Sequence, residues 1–466
     1  MRIVWTTALL TSMFSLVACG DDEPGGSAEA GVPLDGGATP DAPAGGDGAV
    51  TAPLTFWGNV APILNTKCVK CHQEGGIGPF RLDDYAEAKK QASIIAVATK
   101  DGIMPPYLVT HDGTCGQFED AETLTAAEKQ TIWDWATGDK AEGTPLTLPR
   151  PSLPGIEGAT TYQTPMLVPV AQGNALAEFD EYRCFPLDTG LDQDTFITAY
   201  DVLPGNPAIV HHLVAFLVDP AKMSPTGKTN AEVMAELDAT DPDRIGWPCF
   251  GMAGEGVAVD AVPAVWAPGQ GPVVYPGDVG VKLKKDHKIV VQMHYNLADE
   301  KLKGQSDSTT IRLRQAATVS RQAVFVLEDA FLDTLGNPQP DLLPPGQKAA
   351  TYTWKKTGAE MGLGQLPFVD LIGVMPHMHE RGVRKQMSIT QPGGPKSCAA
   401  KVERWDFEWQ KMYFYKGTPT PVTATTEIEL SCEYDTSQDT SPVLPGWGTR
   451  NEMCIAILMF ALPPGI

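Results

Sequence analysis

The chain has 466 residues, 42% of them hydrophobic, and its 35 Lys and Arg residues against 57 Asp and Glu residues leave a formal net charge of −22. This length predicts about three domains, and this hydrophobic content suffices for packed cores, so the composition excludes a wholly disordered protein. The acidity argues against a nucleic-acid-binding protein and against a polybasic membrane contact.

Residues 1–19, "MRIVWTTALLTSMFSLVAC", predict a lipoprotein signal peptide. They contain Arg2, a short apolar core and a final Leu-Val-Ala-Cys that resembles a bacterial lipobox. The apolar run is too short to span a membrane, so we expect the signal to be removed and Cys19 to carry a lipid. This predicts a protein anchored to a bacterial membrane outside the cytoplasm, on the periplasmic or outer-membrane face.

Residues 20–52 predict a disordered linker between this anchor and the folded part of the chain. The segment is rich in Gly, Ala, Pro and Asp and has no aromatic residue. Such a composition cannot bury enough apolar surface to form a core.

The segment "CVKCH", residues 68–72, predicts covalent attachment of a c-type haem. Two thiols three positions apart reach the two haem vinyl groups, and the following His72 then faces the iron as an axial ligand. A zinc or redox C-x-x-C site is the alternative, but it requires a second thiol pair or a thioredoxin-like unit. The predicted haem-binding residues are therefore Cys68, Cys71 and His72.

Met104 in "DGIMPPYLV" is the predicted second axial ligand of the haem iron. The two prolines that follow it stiffen an extended loop, which suits a thioether held against iron, although an ordinary buried methionine is the alternative. Flanking segments over 59–67, 85–100 and 125–138 have helical periodicity. Residues 53–140 are thus predicted to form a small all-α domain that resembles class I cytochromes c.

After a Pro-rich linker, residues 141–164, the chain changes to short runs of β-forming residues separated by Gly, Pro, Asn and Asp. About 300 residues of this kind fit two β-sandwiches of ordinary size, which we place at 165–315 and 316–466. The segment "TNAEVMAELDATD" is the one helix expected there. The predicted fold is mainly β, with two consecutive jelly-roll-like sandwiches after the α domain.

Five of the eight histidines lie in three of these β segments. His377 and His379, in "GVMPHMHERG", point to the same side of a strand and present two imidazoles together. His211 and His212 are adjacent, so they share a metal only across a bulge or twist, or through different ring nitrogens. A buried, hydrogen-bonded histidine pair is the alternative to a metal site.

The order of these motifs resembles the copper monooxygenases typified by dopamine β-hydroxylase and peptidylglycine α-hydroxylating monooxygenase. The similarity covers residues 165 to 466 and includes "HH", "HY", "H-x-H", "NEMC", "WDFEWQ" and "CEYD". The resemblance implies that His211, His212 and His294 hold an electron-storing copper. It implies that His377, His379 and Met453 hold a second copper at which oxygen is activated, across a cleft between the two sandwiches.

The resemblance also implies a reaction and its partners. We expect two coppers and one covalent haem c, with O2 and a small organic molecule as substrates and hydroxylation of a C–H bond. A soft thioether favours Cu(I), which suits Met453 at the site of oxygen activation. The fused haem domain makes an external reduced cytochrome or a quinol-linked donor the expected electron source and puts ascorbate in doubt. The alternative is a non-catalytic haem and copper protein that carries electrons or binds copper.

Four of the remaining cysteines are assigned to disulfides, and the two remaining histidines are assigned to no metal site. By the resemblance Cys432 pairs with Cys454; a second bridge is predicted between Cys184 and Cys249, which leaves Cys115 and Cys398 either paired together or unpaired. A blue-copper site at Met453 and Cys454 is disfavoured because no histidine follows Cys454. His111 and His287 are expected to be surface or core residues.

Two features of the sequence concern the substrate. Where the peptide-amidating relatives have an arginine and a tyrosine that grip a carboxylate, this chain has Met375 and Ile457, which predicts an apolar pocket wall. Trp405, Phe407 and Trp409 either line a cavity or, as is commoner for alternating aromatics, belong to the sandwich core.

Overall fold

The computed structural model describes residues 53–465, apart from Ile77, Asp120, Glu122, 153–154, 174–177, Gly251, Gly269 and Glu408. The predicted signal peptide, the lipid site at Cys19 and the linker at 20–52 lie outside the described residues. Among the described residues, no helix is both long and apolar enough to cross a membrane.

Helices occupy the first part of the described chain. A π-helical turn, Phe56–Val60, precedes α1 (Ala61–Lys67), α2 (Tyr85–Lys90), α3 (Ala92–Lys100) and α4 (Ala126–Thr137). A capping box starts α4, because the Thr125 hydroxyl accepts from the Glu128 N–H and the Glu128 carboxylate accepts from the Thr125 N–H. Apolar side chains of these helices form one small core around Phe56 and Trp135. The three predicted helical segments are confirmed.

The next part of the chain is almost entirely β. Its elements are β1 (Ala159–Gln163), β2 (Asp180–Leu187), β3 (Thr195–Leu203), β4 (Val210–Val218), α5 (Asn230–Asp238), β5 (Trp247–Pro248), β6 (Ala261–Trp266), β7 (Val273–Val274), β8 (Val279–Leu283), β9 (Lys288–Asn296), a 3₁₀ turn (Glu300–Leu302) and β10 (Thr310–Ala316). The predicted helix after Thr229 is confirmed as α5. Strand β1 lies inside the segment that the sequence assigned to the Pro-rich linker.

The C-terminal part continues the β structure. Its elements are β11 (Arg321–Glu328), α6 (Ala330–Asp333), a 3₁₀ turn (Thr334–Gly336), β12 (Ala350–Thr357), β13 (Val369–His377), β14 (Gly382–Thr390), β15 (Lys396–Val402), β16 (Tyr413–Phe414), β17 (Thr420–Val422), β18 (Glu427–Tyr434) and β19 (Ile455–Ala461). The predicted mainly β fold class is confirmed.

Three sheets organise these strands. A five-stranded sheet has the order β5-β2-β9-β4-β6, and a four-stranded sheet has the order β12-β18-β14-β15. The third sheet has ten strands and runs through both halves in the order β1-β10-β3-β8-β11-β19-β13-β16, with β7 and β17 added at its side. The halves are joined where β8 pairs with β11 in parallel, at Val279 with Arg321. The two sandwiches therefore share one continuous sheet.

Strand β19 is apolar throughout because it is buried on both faces. Ile455, Ile457 and Met459 face a core shared with the N-terminal half, whereas Leu458 and Phe460 face the core of the C-terminal half. The period of two therefore sends alternate side chains into two different cores. The start of β19 pairs with the end of β13, where Ile455 lies opposite His377, so the predicted H-x-H site is at this end of the two strands.

Residues 109–119 attach the helical part to the C-terminal half. The Thr110 N–H donates to the Lys401 carbonyl at 2.7 Å, and the Glu119 N–H donates to the Phe414 carbonyl at 2.8 Å. Cys115 and Cys398 form a disulfide across 283 residues, which resolves the pairing that the sequence left open. The predicted Cys184–Cys249 and Cys432–Cys454 disulfides are also present.

Candidate metal centres

His211, His212 and His294 converge on the neighbouring strands β4 and β9. The register of these strands shifts between Val210 and His212, so an irregularity at His211 lets adjacent histidines turn to one side. The His294 Nδ1 atom lies 3.1 Å from Nδ1 of both other histidines, which are 3.3 Å from each other. Three nitrogens this close, with no counter-charge between them, match the donor set of a metal site.

The surroundings of the three-histidine group hold its rings in place and keep two of them neutral. Burial, followed by the neighbouring imidazoles, lowers the pKa of His211 and His212 well below its usual value. The His294 Nε2 atom lies 2.9 Å from Asp180 Oδ1, and its ring stacks on Tyr182 with centroids 4.1 Å apart. With Asp180 holding Nε2, the Nδ1 lone pair of His294 faces the other two rings.

Replacing Asp180 with Asn should weaken metal binding at the three-histidine group. The carboxylate fixes the tautomer and orientation of the His294 ring, and loss of such a partner typically costs about 10–100-fold in metal affinity. A competition titration of Cu(I) against a chromophoric chelator measures this. Asp307→Asn is the matched control. Asp307 is also a buried carboxylate, but it accepts a hydrogen bond from the Tyr295 hydroxyl, at 3.1 Å, and not from a histidine ring. Equal affinities in the two variants would contradict the prediction.

His377 and His379 form a second group at the end of β13. The His377 Nδ1 atom lies 2.5 Å from Gln410 Oε1, and the His379 Nδ1 atom lies 3.0 Å from the Asn451 carbonyl oxygen. Each Nδ1 therefore carries the proton, and each Nε2 keeps its lone pair. Burial lowers the pKa of His377 to about 3 and that of His379 to about 4, so both rings are neutral at neutral pH.

Met453 lies beside these two histidines. It is buried, and together with His377 and His379 it lines a cavity. Met378, which the alternation directs to the other face, packs into the C-terminal core instead. His212 also lines this cavity, so both histidine groups face one space. The structure thus brings together two imidazoles and one thioether, a set suited to Cu(I).

Buried ionisable groups brace the backbone of this second group. Lys385 Nζ donates to the carbonyls of His377 and Ile455, at 2.8 and 2.6 Å. The Glu452 carboxylate accepts from the backbone N–H of His379 at 3.0 Å. Burial lowers the pKa of Lys385 and raises that of Glu452. The end of β13 and the Met453 segment are therefore joined through side chains.

One aromatic ring separates the two histidine groups. Phe407 stacks on His211 with centroids 4.6 Å apart and meets His379 edge to face at 6.1 Å. Trp405 instead packs in the C-terminal core and donates from Nε1 to the His379 carbonyl at 3.0 Å. Trp405 is therefore a core residue, which was one of the two alternatives for the alternating aromatics. Phe407 lies between the two candidate sites.

The predicted haem motif folds as a single turn after α1. The His72 N–H donates to the Cys68 carbonyl at 2.9 Å, as does the Cys71 N–H at 3.0 Å. The His72 Nδ1 atom lies 3.0 Å from the Phe80 carbonyl, which leaves Nε2 as the nitrogen available to a ligand, and burial lowers its pKa. Met104 follows α3, with its N–H bonded to the Ala98 carbonyl at 2.9 Å.

The other two histidines have local partners. His111 Nδ1 accepts from the Phe118 N–H at 3.3 Å. His287 is buried and its Nε2 lies 2.9 Å from Asp260, beside Asp219. Lys222 also binds Asp260, at 2.6 Å, so this cluster already contains a cation.

Sequence reasoning missed several residues of the two sites. Asp180, Gln410, Lys385 and Phe407 come from four separate segments, and none has a spacing that relates it to a histidine. A charged residue on the apolar face of a strand was the available signal: Lys385 lies on the same face of β14 as buried Met387 and Ile389.

Comparisons with known proteins agree with this geometry. Residues 339–464 match the family described as "Copper type II ascorbate-dependent monooxygenase, C-terminal domain", a range that contains His377, His379 and Met453. Tyramine beta-hydroxylase of Caenorhabditis briggsae is 23% identical over 266 residues, which cover 56% of this chain and 41% of that protein. DBH-like monooxygenase protein 1 of Mus musculus is 22% identical over 204 residues, which cover 43% of this chain and 33% of that protein.

The chain matches less than half the length of these two relatives. Among solved structures, that of Broad Bean Stain Virus aligns with 66% of the chain at a TM-score of 0.26 and 9% identity, a likeness too small to carry an argument. The family comparison therefore finds a similarity to copper type II monooxygenases in the C-terminal part of the chain.

Proposed function

We propose that this protein is a copper-dependent monooxygenase that hydroxylates a C–H bond of a small organic substrate with O2. The observation that carries the proposal is the pair of histidine groups at one cavity. One group has three Nδ1 atoms within 3.3 Å of one another, and the other has His377, His379 and Met453. The match of residues 339–464 to the copper monooxygenase family supports it.

Two separate redox centres suit this reaction. Inserting one oxygen atom of O2 into a C–H bond consumes two electrons and two protons and releases one water. Copper bound at each group supplies one-electron redox chemistry, which is why both groups are needed. We assign His211, His212 and His294 to the electron-storing copper, and His377, His379 and Met453 to the copper that meets O2.

The chain's own residues prepare the site for this chemistry. Gln410 and the Asn451 carbonyl hold the Nδ1 protons of His377 and His379, which directs both Nε2 lone pairs inward. The low pKa of both rings keeps those lone pairs free at neutral pH. The apolar walls of the cavity exclude water from the reacting C–H bond.

We further propose that a c-type haem, attached at Cys68 and Cys71 with His72 and Met104 as axial ligands, feeds electrons to the coppers. The hydrogen bond of His72 Nδ1 to Phe80 supports this, because it orients Nε2 for a ligand. Haem supplies one-electron transfer when bound. An external reduced cytochrome, a quinol-linked donor or ascorbate is the source of those electrons.

Three disulfides are typical of a protein outside the cytoplasm. We propose that lipid at Cys19 anchors this protein to the bacterial membrane, on the periplasmic or outer-membrane face.

Metal and haem analysis of the purified protein tests the cofactor assignment. We expect two copper ions and one covalently bound haem per chain, measured by elemental analysis and by the pyridine haemochrome spectrum. Zinc in place of copper, or a single copper, would contradict the assignment of the five histidines. Oxygen uptake with a panel of small organic molecules then tests the activity.

Replacing Met104 with Ala should leave the haem attached through Cys68 and Cys71 but open its sixth coordination position. Carbon monoxide should then bind the reduced haem and shift its absorption, whereas the unchanged protein should not respond. Copper content should stay the same. An unaltered spectrum after CO addition would assign the sixth ligand to another residue, of which His111 is the first to test.

A further inference from the structure

The cavity beside His377 and His379 indicates the chemical class of the substrate. We propose that the substrate is an uncharged, mainly apolar molecule bound against the wall formed by β13 and β19. This inference rests on the proposed monooxygenase function and adds the substrate class to it.

Much of the wall of this cavity is apolar. The apolar part includes Val214, Val265, Leu327, Met375, Ile455 and Ile457. Met375 and Ile457 are directly paired across β13 and β19, so they form one continuous patch next to the H-x-H site. Among the described residues that line the cavity, none is an Asp, Glu, Lys or Arg.

Three polar side chains of the lining already have partners within the protein. Gln410 uses its oxygen for His377 and donates from Nε2 to the Phe407 carbonyl at 2.8 Å. Gln292 donates to the Met252 carbonyl at 2.6 Å, and Trp266 donates to the Gln270 carbonyl at 2.9 Å. These donors cannot solvate a charged substrate without breaking bonds that hold the site.

The charged residues behind the lining are also engaged. Lys385 binds the carbonyls of His377 and Ile455, and Asp180 binds His294, Asn296 and Thr449. An ammonium or carboxylate entering the cavity would lose its water and gain no ion pair with a side chain of the lining, an arrangement that proteins avoid. Positive charge on bound copper would oppose an ammonium further. An uncharged molecule pays neither cost.

Three ligands of similar shape and different charge test the inference: ethylbenzene, 2-phenylethylamine and phenylacetate. Binding to the reduced, copper-loaded holoprotein without oxygen is measured by ligand-observed NMR, so that no turnover is required. We expect the dissociation constant of ethylbenzene to be lower than that of either ion by at least about 100-fold. Equal or tighter binding of either ion would overturn the proposal.

A variant pair tests the location. Leu327 lines the cavity, is only partly buried and belongs to no metal site. Leu327→Glu should strengthen binding of 2-phenylethylamine at least about 10-fold, whereas Leu327→Gln, of the same size and without charge, should not. No gain for the Glu variant, with its fold intact by circular dichroism, would place the ligand elsewhere and overturn the proposal.

Oxygen uptake separates this inference from the proposed function. If ethylbenzene binds best but no neutral ligand causes oxygen uptake, the monooxygenase proposal is contradicted and the inference of a cavity for uncharged ligands stands. Uptake driven fastest by 2-phenylethylamine or phenylacetate would keep the monooxygenase and overturn the neutral-substrate inference. Uptake driven by ethylbenzene alone supports both.

Discussion

Replacing Met453 with Ile is expected to reduce substrate-dependent oxygen consumption by at least about 100-fold, because it removes the thioether that favours Cu(I) beside His377 and His379. The backbone at this position is held independently, since the Tyr434 hydroxyl donates to the Met453 carbonyl at 2.7 Å and Cys454 is in a disulfide. A swap of similar apolar volume should cost under about 1.5 kcal/mol of unfolding free energy. Oxygen-electrode assays with a verified substrate measure the loss.

Met459→Ile is the matched control for this variant. Met459 is buried in β19, packs in the core shared with the N-terminal half and is not among the residues that line the cavity. It should keep full activity. Both variants should retain the three-histidine copper and accept electrons at the haem. A Met453→Ile protein that consumes oxygen normally would favour an electron carrier or copper-binding protein over a monooxygenase.

Replacing Lys385 with Met is expected to lower the free energy of unfolding by about 3–5 kcal/mol, because it leaves a buried partner charge and two carbonyls without their cation. Lys385 donates to the His377 and Ile455 carbonyls and lies within electrostatic reach of buried Asp329, whose pKa burial raises. The substitution also removes the side-chain link that Lys385 makes between the end of β13 and the start of β19. We therefore expect loss of the copper at the H-x-H group as well.

Urea unfolding followed by tryptophan fluorescence measures the change in stability. Lys355→Met is the matched control: Lys355 is exposed on β12 and pairs with Glu427 at 2.9 Å, so its loss should change stability little. In the Lys385→Met background, Asp329→Asn should lower the free energy of unfolding by less than it does in the unchanged protein, because the Asp329 carboxylate has already lost Lys385 as its partner. Similar stability of the two Lys→Met variants would contradict the buried role of Lys385.

Local patterns accounted for much of the fold. The strand segments around His211, His294 and Met453 and the helices before residue 140 are where short runs of β-forming residues and helical periodicity predicted them. The same holds for the relation of His377 to His379 and for the turn of Cys68 to His72. Each of these features depends on residues a few positions apart, whose geometry the backbone itself sets.

Tertiary structure decided what joins these elements. The irregularity at His211 that turns two adjacent histidines together arises only in the pairing of β4 with β9. The Cys115–Cys398 disulfide, the ten-stranded sheet shared by both halves and the position of Phe407 between the two groups all join distant segments.

The sequence by itself determined the β and helical elements, the types of ligand present and the two pairs of nearby ligands. Only the tertiary structure decided that His212, His377, His379 and Met453 line one largely apolar cavity. The same holds for the contacts of Asp180 with His294, of Gln410 with His377 and of Lys385 with the His377 carbonyl. The reason is physical: hydrogen bonding along a strand follows local alternation, whereas the choice of neighbouring strand is made by burial of whole surfaces. Residues that serve the site from another strand therefore show no pattern in the chain.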